Sequence, residues 1–316
     1  MLVYSLKRIL WIIPTILIVS FIIYFLMDLA PGTVIDSMIS DSMSQEDIEK
    51  LRAEYDLDKP VIYRYGKYML NLARGNLGNS QVNGMSVWDI YVKRFPMTLS
   101  LALCSLLVAV MIAIPLGIFA AKHSGTIWDN LTTGISLLGI SMPTFWIGLL
   151  LLFAFTYYIK IFPVAYDGTF KSYILPSVTS GFMMSAATTR QTRSAMLEVL
   201  RQDYLRTARA KGVSERQVTW KHALRNALIP IITQVGMALA RTFAGSVIIE
   251  SVFGWPGIGK LTVDAINQRD VPLACGGVIL TLIVFIIMVL IVDLLYALVD
   301  PRIRAQYTRA KRKVAS

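Results

Sequence analysis

The sequence predicts an all-α, polytopic membrane protein with about six transmembrane helices. Three observations carry that expectation. Apolar residues make up 55% of the 316 positions and charged residues only 16%, well below the roughly one quarter usual in soluble domains. The apolar residues gather in runs of about 20 or more, the length a helix needs to cross a bilayer. The basic excess, 31 Lys and Arg against 20 Asp and Glu, falls in a few segments between those runs, which accounts for it without nucleic acid.

Six runs qualify as spans: 9–30, 97–121, 131–159, 174–196, 227–250 and 273–299. The first follows Lys7 and Arg8, as a secretory signal would. It is too long for a signal core and no small-x-small cleavage site follows it, so it is expected to be a retained anchor. The connection 31–96 is long and has its own helical signals. Ser44 and Asp47 form a capping-box-like start for a helix over 45–55. Pro60 opens a second helix over 60–74, which Gly75 and Gly78 stop. Ser86 and Asp89 repeat the capping pattern ahead of a short helix ending at Pro96. The fourth span is diluted by Ser177, Thr179, Ser180, Ser185, Thr188 and Thr189. Such small polar residues suit a helix packed among helices or one lining a wet path, and both readings stay open. The expected division is 1–30 for the first span, 31–96 for a helical extracytoplasmic cap, 97–300 for a core of five spans with a loop at 198–227, and 301–316 for a basic tail.

Orientation follows from Lys and Arg in short loops. Segment 190–225 holds nine basic residues and three acids, and 301–316 holds six basic residues and no acid. With six spans, these segments, Lys7 and Arg8, and Lys122 fall on one side, expected to be cytoplasmic together with both termini.

The most informative stretch is Asp203–Pro230, DYLRTARAKGVSERQVTWKHALRNALIP. It predicts two helices around a tight corner. The first covers 194–211, with Arg209 and Lys211 suited to a helix C-terminus and Gly212 suited to the left-handed position just beyond it. Ser214 and Gln217 then form a capping box for a helix over 215–227. Thr207, Ala208, Ala210 and Gly212 keep the corner small, so another backbone can approach. A basic loop held against anionic headgroups is the competing account.

RTARAKG followed by HALRNALIP resembles the cytoplasmic signature loop of binding-protein-dependent ABC permeases, specifically those of the dipeptide, oligopeptide and nickel group. LKRILWIIPT, EYDLDKPVIYRYGKY with GNLGNS, SMPTFWIG, ESVFGWPGIGKL and DLLYALVDPRIR match that group in order along nearly the whole chain. The Glu-Ala-Ala of the generic signature is absent, since Arg206, Thr207 and Ala208 stand there, and Pro230 lies 18 residues past Gly212. The resemblance implies the type I ABC importer permease fold and a bacterial cytoplasmic-membrane location. It implies a second homologous permease, two cytoplasmic ABC ATPase subunits and an extracytoplasmic solute-binding protein as partners. The chain then holds no cofactor, ATP and Mg belong to the ATPases, and no catalytic residue is needed. Asp203, Tyr204, Arg206, Thr207, Ala208, Arg209, Ala210, Lys211 and Gly212 would form the coupling helix. Short peptides are the expected cargo, with nickel or a nickel chelate as the alternative.

Charges within spans are functional candidates. Arg241 lies midway along the fifth span beside Thr242, and either meets a peptide carboxylate in transit or pairs with a neighbouring acid. Ser185 joins these as a pathway candidate. Glu250 either faces substrate or the binding protein, or serves as an interfacial structural carboxylate. Asp293 reads as part of an inner-surface network with Asp300 and Arg302. Gly254–Lys260 fits G-x-x-x-x-G-K, but Leu261 stands where a phosphate loop needs Ser or Thr, and an apolar helix precedes it instead of a strand. Cys104 and Cys275 lack metal-like spacing, and His123 and His222 sit at helix ends. A stand-alone secondary transporter would show intramembrane acids or inverted repeats, and an intramembrane hydrolase a nucleophile and base at membrane depth; neither pattern is present.

Overall fold

The computed structural model describes residues 2–37 and 43–299. The basic tail 301–316 and the Asp300 and Arg302 part of the expected network lie outside them. The described residues are helical throughout, with one isolated antiparallel bridge between Asn79 and Ser86 and no strand. They form two compact units, Leu2–Thr98 with Pro256–Val284, and Leu99–Trp255 with the chain from Phe285 onward.

In the first unit, α1 (Leu2–Leu29) carries a 20-residue apolar stretch from Leu10 that is mostly exposed, as a lipid-facing helix must be. Helix α2 (Gln45–Glu54) starts where the capping pattern puts it: the Ser44 hydroxyl accepts from the Asp47 N–H at 3.2 Å and donates to the Asp47 carboxylate at 2.7 Å. Helix α3 (Val61–Ala73) follows Pro60 and ends at Arg74, with Gly75 at φ 80°. It lies on α1 through the Tyr65 hydroxyl, which donates to the Leu17 carbonyl at 2.9 Å, and through an Arg64–Asp28 ion pair. Tyr68 packs with Tyr24, Cys275 and Ile279. Burial pushes its hydroxyl well above the ordinary phenol range, so it stays neutral.

The Gly78–Val87 loop closes with Ser80 N–H to Met85 O at 2.8 Å and Val87 N–H to Gly78 O at 3.1 Å. It is latched by Asp270, which is completely buried and caps α13 (Val271–Val299). The Asp270 carboxylate accepts from the Ser80 hydroxyl and from the N–H groups of Gln81 and Leu273, both at 3.2 Å. A buried carboxylate without donors would be costly; here three donors and a helix N-terminus hold it. An Asp two residues ahead of Pro272 is a helix-start signal.

The structure corrects several expected boundaries. The short helix ending at Pro96 and the span 97–121 are one 36-residue helix, α4 (Val87–Lys122), running through Pro96 and Pro115. Proline is tolerated in membrane helices, where the surroundings compensate for the lost N–H. The span 131–159 is instead two helices, α5 (Ile127–Ser141) and α6 (Thr144–Leu152), the latter extended by a π-helical turn over Phe153–Tyr158 and bent 99° from α5. Pro143 forces Met142 to the extended conformation, φ −81° and ψ 137°, and so breaks the helix. The connection 251–272 contains a helix, α12 (Ile258–Asn267). Among the described residues four helices are long and apolar enough to cross a membrane, five spans with the bent pair. Helix α7 (Lys171–Leu200) is long enough but too polar to qualify by composition.

In the second unit, α7 is the centre. Gly117 of α4 leaves no room for a Cβ, which would lie 2.5 Å from Thr192 Cβ and 2.8 Å from the Thr189 carbonyl. Gly181 of α7 is equally filled by Val108 Cβ at 2.7 Å and the Ser105 carbonyl at 2.8 Å. The two helices therefore meet backbone to side chain at two levels, as small residues allow in membranes. Gly117→Leu and Gly181→Leu should each overpack this contact at a cost of about 1–3 kcal/mol or more. The expected readouts are a lowered unfolding midpoint in detergent and reduced accumulation in the membrane. Gly134→Ala, whose added Cβ meets nothing within 4 Å, should change neither.

Candidate functional site

Two features of the second unit stand out, a helical corner and an open polar groove. Helix α7 ends at Leu200 rather than continuing to Lys211 as expected. Arg201 and Gln202 break it, and a separate helix, α8 (Asp203–Ala210), follows. The corner after α8 is closed by two hydrogen bonds, Gly212 N–H to Arg209 O at 2.9 Å and Val213 N–H to Ala208 O at 3.2 Å. This is a Schellman motif, with Gly212 at φ 77° in the left-handed position that glycine takes without strain. Past it, Glu215–Gln217 (α9), a π-helical turn over Val218–Ala223 and α10 (Leu224–Gly245) run on without a stop. The expected helix 215–227 and the fifth span are thus one element. Pro230 lies inside it. Ser214 is its N-cap by backbone geometry, but its side chain makes no capping bond. The expected capping box is replaced by an ion pair across the corner, Arg209 Nε to Glu215 at 2.6 Å.

Helix α8 is held by one side and exposed on the other. Leu205 is fully buried and joins a core with Ile118, Met196, Val218, Ala227 and Ile231, drawn from α4, α7 and the α9–α10 element. Burying one leucine contributes about 1.5–3 kcal/mol, so the corner moves with three helices or not at all. Arg206, Thr207, Arg209, Ala210, Lys211 and Gly212 face outward, Ala208 is half-buried, and Tyr204 is exposed while its hydroxyl accepts from the Asn226 amide at 2.7 Å. Asp203 makes only a long 3.9 Å contact to Arg206 at full exposure.

The groove follows one face of α7 as two adjoining cavities of about 510 and about 280 Å³ that share Ala187 and Gln234, the larger walled also by Thr133 and Ile140 of α5 and the smaller by α10 and by Thr144 of α6. Its α7 side is Ser180, Met183, Met184, Ala187, Arg190, Gln191 and Ser194, spaced as one helix face. Its α10 side includes Gln234, Ala238, Arg241 and Thr242. Arg241 is exposed to the groove. Thr242 sits on the wall with its hydroxyl donating to the Ala238 carbonyl at 3.0 Å. Ser185 does not reach it: the residue is buried and its hydroxyl donates to the Phe182 carbonyl at 2.7 Å. Thr179, Thr188 and Thr192 likewise bond their own helix at 2.7–3.0 Å. The hydroxyls that dilute α7 therefore line its packing face, and of that set Ser180 alone borders the groove. Glu250, on α11 (Val247–Val252), is completely buried and accepts from the Ser246 hydroxyl at 2.9 Å. That is the structural carboxylate rather than a groove residue.

Two groove residues carried no individual signal in the sequence. Arg190 had counted only as part of a basic segment. Arg193 binds Asp129 in a two-pronged ion pair, Nε to Oδ1 at 2.5 Å and Nη2 to Oδ2 at 2.7 Å, while the Gly125 N–H adds a third donor at 3.0 Å. Asp129, in the first turn of α5, was not singled out in the sequence; its place just ahead of an apolar run is the signal that could have found it. The phosphate-loop lookalike is a helix start, with Gly257 as N-cap and Lys260 bound to Asp264 at 2.7 Å.

The comparisons with known proteins assign the chain. Residues 113–305 match the family described as binding-protein-dependent transport system inner membrane component, and residues 1–102 match its N-terminal counterpart. The chain belongs to this family. The dipeptide transport system permease protein DppB of Escherichia coli K12 is 36% identical over 336 residues, covering 96% of this chain and 99% of that one. The glutathione transport system permease protein GsiC of the same strain is 38% identical over 304 residues, with the same coverage. The inward-facing methionine ABC transporter MetNI is similar in fold, with a TM-score of 0.56 at 16% identity over 67% of this chain and 96% of that chain. The permease is thus a multi-pass inner-membrane subunit of an ABC importer, non-catalytic itself and one part of a larger complex.

The corner geometry has a direct check. Gly212→Val places a β-branched residue at φ 77°, costing about 1–2 kcal/mol with no neighbour to clash against. It should fray the C-terminal turn of α8 and raise trypsin cleavage after Arg209 and Lys211 in membranes several-fold, while Gly212→Asn, tolerant of this conformation, stays protected.

Proposed function

We propose that this permease imports short peptides, driven by ATP hydrolysed on partner subunits. It works with a second homologous permease, two cytoplasmic ATPases carrying ATP and Mg, and an extracytoplasmic solute-binding protein. Both termini and the corner at Asp203–Gly212 face the cytoplasm, and residues 31–96 with 251–272 meet the binding protein. The observation that carries the substrate is the groove: hydroxyl, amide and guanidinium groups on an otherwise apolar helix pair suit a zwitterionic, hydrogen-bonding solute. The names of the DppB and GsiC relatives, both peptide permeases by description, support the same class.

The mechanism follows from how α8 is anchored. An ATPase that grips the exposed face of α8 pulls on Leu205, and through its core on α7 and α10 together. Those two helices are walls of the groove. Closure of the ATPases then changes the width of the groove without any chemistry in this chain. The Asp129–Arg193 pair carries α5 along with α7. The rigid Schellman turn matters because a frayed corner absorbs the push instead of passing it on.

The complete complex in proteoliposomes, supplied with binding protein outside and ATP inside, should accumulate radiolabelled dipeptide. Uptake that follows an ion gradient instead of ATP, or uptake of nickel and not of peptide, would overturn the proposal. Gly212→Val should abolish uptake while the complex still assembles. Arg241→Ala should reduce uptake by about tenfold with normal co-purification of the partners; equal loss of both would make Arg241 a structural residue.

A further inference from the structure

The groove is electrically one-sided. Both cavities along α7 and α10 are lined by polar and apolar residues and by Arg190, Arg193 and Arg241, and no Asp or Glu lines either one. Arg193 is neutralised by Asp129. Arg190 and Arg241 are both exposed on the groove, and among the described residues neither has an ion-pair partner. Arg241 lies within an apolar span, where an unpaired guanidinium is a functional group by default, since its isolation is costly unless a ligand or water meets it; Arg190 stands at the other end of the same groove.

The spacing of the two is set by the helices. Thr242, next to Arg241, touches Met184, so Arg241 stands near the level of Met183 and Met184 on α7. Arg190 lies about two turns further along α7, which at about 1.5 Å per residue puts the two guanidinium-bearing levels about 10 Å apart. An extended chain covers about 3.3–3.6 Å per residue. A dipeptide or tripeptide with an acidic side chain toward its amino end therefore spans both levels with two carboxylates. Gln191, next to Arg190, and Gln234, about two turns before Arg241 on α10, line the cavity at the Arg190 end and supply amide donors and acceptors for the peptide.

We infer that the groove is a charge filter in which Arg190 and Arg241 are two carboxylate stations, so that this permease favours short peptides bearing a second acidic group and disfavours cationic ones. The inference rests on the peptide-import proposal and adds to it a selectivity located in the permease itself, beyond that of the binding protein. Guanidinium is suited to the task because it stays charged and grips a carboxylate through two parallel hydrogen bonds. Two stations rather than one also let the cargo exchange one carboxylate contact for another as it moves, instead of leaving a single deep site.

The test uses the full complex in proteoliposomes with saturating, pre-loaded binding protein, so that the binding protein's own affinity cancels between wild type and variant. The probes are L-Glu-L-Glu, L-Ala-L-Ala and L-Lys-L-Ala, and the variants are Arg190→Gln, Arg241→Gln, the double variant and the charge-preserving Arg190→Lys with Arg241→Lys. Wild type should transport the acidic dipeptide faster than the cationic one. In the double Gln variant the ratio of acidic to neutral uptake should fall by about tenfold, and of acidic to cationic by more, since hydrogen bonds to charged groups are the stronger class. The Lys variants should keep most of the preference. Equal loss of all three substrates would mean that the arginines pair with a partner subunit, and would overturn the filter. Unchanged ratios with robust peptide uptake would overturn the filter alone. No ATP-dependent peptide uptake by wild type would overturn the function on which it rests.

Discussion

The second unit depends on how closely α7 can be approached. Gly117 and Gly181 let α4 and α7 touch where any side chain would collide, and Gly139 of α5 gives Ala186 the same access at 3.1 Å. In lipid there is no hydrophobic reward for pressing one apolar helix against another, so close contact itself supplies the attraction. The price in polarity is absorbed locally: the Thr179, Thr188 and Thr192 hydroxyls bond carbonyls one turn back, while among the described residues the buried Ser177 hydroxyl has no partner. A helix that is buried on one face by small residues is free to be polar on the other. That is why a span too hydrophilic to be recognised by composition can stand at the centre of a membrane unit.

The same economy shapes the corner. Helix α8 has eight residues, far fewer than a helix needs to persist alone in water. It survives because Leu205 is fixed in a core that belongs to longer helices and because its C-terminal end is closed by the Schellman turn. Its outward face is then chemically spare and mechanically stiff. Stiffness at the surface and attachment beneath are the properties a lever needs, whereas a mobile basic loop would bind headgroups equally well and transmit nothing.

Much of this was legible in the sequence, and the gaps have physical causes. The cap at Ser44, the stop at Gly75 and the left-handed Gly212 are local devices, in which one or two residues determine their own backbone, and they stand where the pattern put them. The joins between elements were the difficult part. Pro96 looks like a terminator by its own chemistry, but the apolar helix on either side carries on through it. Pro143 looks similar and does break its helix. The difference lies in the surroundings of each proline, which no local pattern contains. Of the groove, Arg241 and Thr242 were visible because a charge amid apolar residues is conspicuous. Arg190 was hidden among basic neighbours, and Ser185 was misleading because a face of α7 cannot be divided into packed and open sides until its neighbours are known. Asp129 and Asp270 went unread in the sequence, since their partners lie 64 and as many as 190 positions away.

That last separation has a consequence for biogenesis. The Gly78–Val87 loop is made early, but the carboxylate that latches it, and part of the core around Leu77 and Val87, arrive only with residues 256–284. At a synthesis rate of about 5–20 residues per second, the emerging amino-terminal half waits on the order of 10–40 seconds for its counterpart. During that interval Val87 and Leu77, both buried in the finished unit, lack the part of their cover that residues 256–284 supply. The intervening unit, by contrast, draws most of its helices from one continuous stretch and closes as it is made. Closure of the first unit therefore waits for the Asp270 latch and the start of α13.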